Sequence, residues 1–135
     1  MEDFPKANIK PIVSRFFGPD GCVSIEVELE PFKLCSRDYS ENFNSSIRLD
    51  GIEITNNLKE IENKTIDFPI NPEDGYIDGS IYFYASHNPI DVKQIEFGKI
   101  KNGKLPIKLL TSWVLEFEST GFKNFETSIE TYIQL

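Results

Sequence analysis

The chain has 135 residues, 39% hydrophobic and 13% aromatic, enough large apolar side chain to fill one domain core, which excludes a disordered chain. With 22 acidic against 14 basic residues the net charge is -8. Such a surface repels phosphate backbones and anionic headgroups, so it disfavours direct nucleic-acid or membrane-surface binding and favours a cationic protein partner.

Residues 1–8 read as a loose N-terminal arm on a single domain spanning 1–135. A strand is expected from Ile9 to Phe17, with Pro11 confining its start to an edge or bulge. After the Gly18-Pro-Asp-Gly21 turn, Val23, Ile25, Val27 and Leu29 alternate with Ser24, Glu26, Glu28 and Glu30. Period two of this kind means a half-buried antiparallel strand with one wet face. Pro31 ends it. Phe32 to Arg37 reads as a short extended piece, and Asp38 to Ser46 as a polar loop. A strand from Ile47 to Thr55 is interrupted at Asp50-Gly51, by either a tight turn or a bulge. Leu58 and Ile61 suggest one turn of helix after Asn56 or Asn57. Thr65 to Ile70 is a further strand, stopped by Asn71-Pro-Glu-Asp-Gly75.

The stretch from Asp78 to Glu118 organises the rest. It opens with the strand Gly79-Ser-Ile-Tyr-Phe-Tyr-Ala, with Ile77, Gly79, Ile81, Phe83 and Ala85 on one face. Tyr76, Asp78, Ser80, Tyr82 and Tyr84 share the other. After a short loop, Ile90 and Val92 are out of parity with Ile95 and Phe97, and a bulge near Lys93-Gln94 would put all four on one side. Asn102-Gly103 is a hairpin turn, because both of its central residues need φ > 0. The next strand is expected to run from Leu109 to Phe117, with Trp113, Leu115 and Phe117 together and Glu116 and Glu118 opposed. Ser119-Thr-Gly121 is a turn. A last strand from Phe125 alternates to Leu135. About eight strands with one helical turn at most define an all-β domain, an antiparallel β-sandwich or a flattened barrel.

Catalytic chemistry finds little support. His87, in Ala85-Ser-His-Asn-Pro89, is the single histidine, with no nucleophile-elbow context. Cys22 and Cys35 lack the spacing of a zinc or redox motif, no phosphate-cradling glycine pattern occurs, and no calcium-loop pattern is complete. The expectation is no enzyme, no cofactor and no metal. Met1-Glu-Asp-Phe-Pro-Lys lacks the regions of a signal peptide, and no apolar run reaches the ~20 residues of a membrane span. The cytoplasm is the expected compartment, and the thiols are then reduced.

Two surface features remain. One is acidic: Glu26, Glu28 and Glu30 on one strand, and Glu116, Glu118, Glu126 and Glu130 on two late ones. It reads as a wet face relieved by neighbouring lysines and arginines such as Lys33, Lys108 and Lys123, or as a docking surface that steers a cationic protein. The other is Tyr76, Tyr82 and Tyr84 interleaved with Asp78. Such rings either stabilise the sheet in cross-strand pairs or supply the rigid amphipathic area of an interface.

The segment Gly79-Ser-Ile-Tyr-Phe-Tyr-Ala-Ser-His-Asn-Pro-Ile-Asp-Val-Lys-Gln-Ile-Glu-Phe-Gly98, followed by Trp113-Val-Leu-Glu-Phe-Glu118 and Gly121-Phe122, resembles immunity proteins of bacterial contact-dependent growth inhibition and other polymorphic toxin systems. The likeness covers the C-terminal part of the chain and carries over no individual binding residue. It implies a cognate toxin domain, often a basic nuclease, whose active site the immunity protein blocks. The partner-binding candidates are Glu26, Glu28, Asp78, Tyr82, Tyr84 and Glu116, on a monomer or weak dimer. The alternative is a small-molecule or carbohydrate carrier with an aromatic-lined barrel interior and no catalytic activity. It predicts an internal cavity.

Overall fold

The computed structural model describes residues 1–36 and 39–135; Arg37 and Asp38, where the expected extended piece meets the expected loop, lie outside the described residues. Among the described residues there are ten strands: β1 (Pro11–Phe17), β2 (Val23–Leu29), β3 (Phe32–Ser36), β4 (Tyr39–Phe43), β5 (Ser46–Ile52), β6 (Thr65–Asp67), β7 (Asp78–Phe83), β8 (Ser86–Phe97), β9 (Lys104–Trp113) and β10 (Phe125–Gln134). One four-residue helix, α1 (Leu58–Ile61), joins them. The Asn57 side chain caps α1 by accepting from Lys59 N at 3.1 Å, the cap that the Asn–Leu–Ile spacing predicts.

The main sheet runs β6-β8-β7-β5-β2-β1-β10-β9, and β8 pairs again with β9, so the sheet closes on itself as a barrel. Closure removes the exposed edges that a sandwich would have to protect. One joint departs from the antiparallel expectation: β1 and β10 run parallel, in register at Ser14 and Ile133. The Ser14 and Thr131 hydroxyls lie 3.0 Å apart across that joint.

Alternation places the core. Val23, Ile25 and Val27 of β2, Ile47 and Leu49 of β5, Ile81 and Phe83 of β7, and Leu105, Leu109 and Trp113 of β9 all point inward and are buried. β8 has three partners: along one side it pairs with β7 over Ser86 to Ile90 and with β6 over Gln94 to Glu96, and along the other with β9. Its register against β9 shifts between Val92 and Gln94. That bulge brings Ile90, Val92, Ile95 and Phe97 to one side, as their parity requires, and all four are buried. Asp50-Gly51 likewise resolves as a bulge inside β5, with Gly51 at φ +70° and the register against β2 shifting opposite it. Asn102 and Gly103 form the expected hairpin turn at φ +53° and +72°.

Several expectations are corrected. The N-terminal arm is not loose. Glu2 bridges to Phe122, and Phe4, 6% exposed, packs against Phe83, Trp113, Phe122 and Phe125 with ring centroids 5.3–5.8 Å apart. The stretch expected as a loop from Asp38 to Ser46 holds β4, paired with β3 as a hairpin outside the barrel. That hairpin buries Phe32 and Leu34 and half-buries Phe43, so polar residues suffice elsewhere along it. No loop separates β7 from β8. Tyr84 and Ala85 turn the chain in two residues at φ +52° and +57°, and Pro89, which has no N–H to place in a ladder, lies within β8. β9 ends at Trp113, so Leu115 and Glu116 to Glu118 belong to a turn, and Leu135 is exposed. Among the described residues no helix is long and apolar enough to cross a membrane.

Candidate functional site

The outer faces of β1, β2, β5, β7 and β8 form one continuous wall, because these strands are neighbours in the sheet. Cross-strand register fixes which residues meet there: Arg15 faces Glu26, Glu26 faces Arg48, Arg48 faces Ser80, Asp50 faces Asp78, and Tyr82 faces His87. Directly opposed side chains on one face lie close enough to interact, and opposite charges there stabilise the pair.

The wall carries a paired charge strip. Glu26 accepts from Arg15 through one carboxylate oxygen, and its other oxygen lies 3.8 Å from Arg48. Arg48 Nε also donates to Asp50 at 2.9 Å, and Ser24 donates to the same Asp50 oxygen at 2.7 Å. Beneath the strip, Phe17 receives both guanidinium groups on its ring, with Arg48 4.9 Å and Arg15 5.6 Å from the centroid. Two arginines thus balance Glu26 and Asp50. Elsewhere, Lys93 pairs with Glu126, Lys123 lies 3.6 Å from Asp3, and Lys108 stands in register between Glu96 and Glu130.

Above the strip the wall opens into a shallow polar depression lined by Glu26, Asn44, Ser46, Arg48, Ser80, Tyr82 and His87. Tyr82 is 49% exposed and meets the His87 ring edge to face at 4.9 Å. The pair gives the depression an aromatic shoulder with hydrogen-bonding tips. Glu28 stands exposed one step further along β2, beside Ser46, and Asp78 is exposed at the far end of β7.

Glu26 and Tyr82 therefore meet in one depression, with Glu28 and Asp78 on the same wall. Tyr84 does not join them. The left-handed turn rotates its ring away from the alternation of β7, onto Phe43 and Phe83 at 5.3 Å and parallel to Phe122 at 6.4 Å. Glu116 lies at the barrel end instead, where its carboxylate accepts from Asn124 N. Arg48, His87 and Phe17 belong to the wall but were not candidates; the register of β2 against β5 is what brings Arg48 to Glu26.

Among the described residues no group of three or more His, Cys, Asp and Glu is placed to hold a metal ion. On the outer face of β8, burial raises the carboxyl of Asp91 above the usual range while Lys93 pulls it back. Comparison with protein-family models, curated proteins and solved structures finds no match.

Proposed function

We propose that this chain is a non-catalytic protein-binding domain, an immunity protein that neutralises a cognate basic, nuclease-like bacterial toxin by covering its active site. The observation that carries the reading is the Tyr82–His87 shoulder, held on a rigid closed sheet with the carboxylates of Glu28 and Asp78 exposed on the same wall. Aromatic side chains fixed on regular strands make contact area at small entropic cost, and surrounding acid steers a cationic partner. The net charge of -8 supports the same sign of partner. The carrier alternative calls for interior space, whereas the barrel's own Phe83, Phe97, Trp113 and Phe122 occupy its interior, each at most 2% exposed.

The test is co-expression with whatever C-terminal domain the gene immediately upstream encodes, purified on one tag at low and high salt. A tight complex that abolishes that domain's toxicity is expected. Tyr82→Ala with Glu28→Lys should weaken it by about 2 kcal/mol or more, with little change in melting temperature. A clean monomer that forms no complex, yet gains stability from a small-molecule panel, would overturn the proposal.

A further inference from the structure

Phe117 is 73% exposed, as much as the terminal Met1, yet the turn that carries it is hydrogen-bonded on both limbs. On either side of it, Leu115 and Phe122 are at most 1% exposed and plug the end of the barrel. Glu116 and Asn124 clamp the two limbs reciprocally: Glu116 N donates to Asn124 Oδ1 at 2.8 Å, and Asn124 N donates to Glu116 Oε2 at 2.9 Å. Inside the turn, Ser119 N donates to the Glu116 carbonyl at 3.2 Å and the Thr120 hydroxyl to that of Leu115 at 2.9 Å. The N-terminal segment lies alongside, with Glu2 N donating to Gly121 O and Lys123 N to Glu2 O, both at 2.9 Å. A loose turn could fold a phenylalanine back onto the core. This one holds it out.

We propose that the turn is a docking knob: Phe117 enters an apolar pocket rimmed by lysine or arginine on the cationic partner. The occupant follows from charge. Phe117 lies between Glu116 and Glu118, while Asp3 and Lys123 on the adjoining segment offset each other, so the two glutamates leave the skirt of the ring acidic and complementary to a basic rim. An aromatic side chain presented in a fixed geometry and desolvated by a pocket is the usual form of a binding hot spot. Geometry also links the knob to the wall. The Tyr84 ring lies parallel to Phe122, the anchor of the turn, so the knob and the Tyr82 shoulder flank the same end of the barrel. The inference rests on the protein-binding reading and adds a second, separable contact to it.

The experiment measures affinity of the upstream-encoded toxin domain for wild type, Phe117→Ala, Phe117→Leu and Phe117→Trp. Phe117→Ala should bind about 30-fold more weakly with an unchanged melting temperature, and Phe117→Leu should recover most of the loss. Trp113 is buried, so Phe117→Trp adds one solvent-exposed indole whose emission should shift to the blue in the complex. Wild-type affinity in Phe117→Ala, or an indole that stays exposed in a formed complex, overturns the knob and leaves the protein-binding reading standing. Failure of the wild type to bind that domain overturns both. Wild-type self-association that Phe117→Ala abolishes, with toxin binding unaltered, assigns the residue to a second copy of this chain and overturns the proposal.

Discussion

Trp113 donates its indole N–H to the hydroxyl of Thr111, 3.0 Å away and two residues back on the same strand. Thr111 passes the bond on to the carbonyl of Thr127 on β10, at 2.7 Å. Both side chains are at most 1% exposed, so the relay satisfies polar atoms that have no access to water. Thr111→Val keeps the shape and deletes the acceptor, which leaves the indole N–H buried and unpaired. A loss of about 2 kcal/mol is expected, as a lower urea midpoint at unchanged slope. Thr111→Ser keeps a hydroxyl and should recover much of that loss. If the valine variant unfolds at the wild-type midpoint, the relay does not contribute.

Gly79 is constrained by its partner strand. A Cβ there would lie 2.3 Å from the carbonyl oxygen of Ile90, directly opposite on β8, and 3.1 Å from a Leu49 methyl. The obstruction is backbone, which no side-chain rotation relieves. Gly79→Ala should therefore prise β7 from β8 at a cost of about 3 kcal/mol. Thermal unfolding would show the loss, and hydrogen exchange should place the loosened amides in these two strands. An alanine variant as stable as wild type would mean that the pair can slide apart freely.

The elements legible in the sequence are those whose local chemistry agrees with their fold. The alternation of β2, the parity break in β8, the Asn102-Gly103 turn and the Asn57 cap each carry their own signal, and each forms as expected. The failures have a different origin. Tyr84-Ala85 makes a left-handed two-residue turn with neither glycine nor asparagine, held by the strands on either side and by the packing of Tyr84 on Phe43 and Phe122. Phe117 continues the alternation of Trp113 and Leu115 in sequence, but β9 stops at Trp113, where Phe125 of β10 ends the ladder. The wall was legible in part. The alternation of β2 shows Glu26 and Glu28 on an outer face, but no local pattern reveals that Arg15 and Arg48 arrive from the strands on either side. Closure also depends on a non-local joint, the first strand β1 meeting the last, β10, in parallel, which is why sandwich and barrel are equal readings of the sequence.

Asp91 gives the fold a pH signature of definite sign. Burial raises its carboxyl above 3.8, the attraction of Lys93 opposing the shift. The folded state therefore holds this proton more tightly than the unfolded chain. Its contribution to stability is complete below 3.8 and is lost as pH rises through the folded value. At neutral pH the ionised group works against folding. Asp91→Asn should be more stable than wild type at neutral pH, and the gap should close as the solution is acidified below the unfolded carboxyl range. Denaturant titrations of both proteins at the two pH values decide it. Equal stability at neutral pH would mean that the pull of Lys93 matches the cost of burial.

Glu26 and Glu28 share one strand face, yet they should behave as different kinds of residue. Glu26 is spoken for by Arg15 and Arg48, whereas Glu28 is exposed. Partly exposed ion pairs contribute little, so Glu26→Gln should cost under about 1 kcal/mol of stability. It also removes a negative charge and, with Arg48 keeping its bond to Asp50, frees the Arg15 guanidinium, which should repel a basic partner. Glu28→Lys should leave stability unchanged and slow association with the toxin domain by about tenfold at low salt, the difference shrinking as salt screens it. Stopped-flow association across a salt series measures this directly. Equal rates for wild type and Glu28→Lys at low salt would show that β2 does not face the partner and would move the interface off this wall.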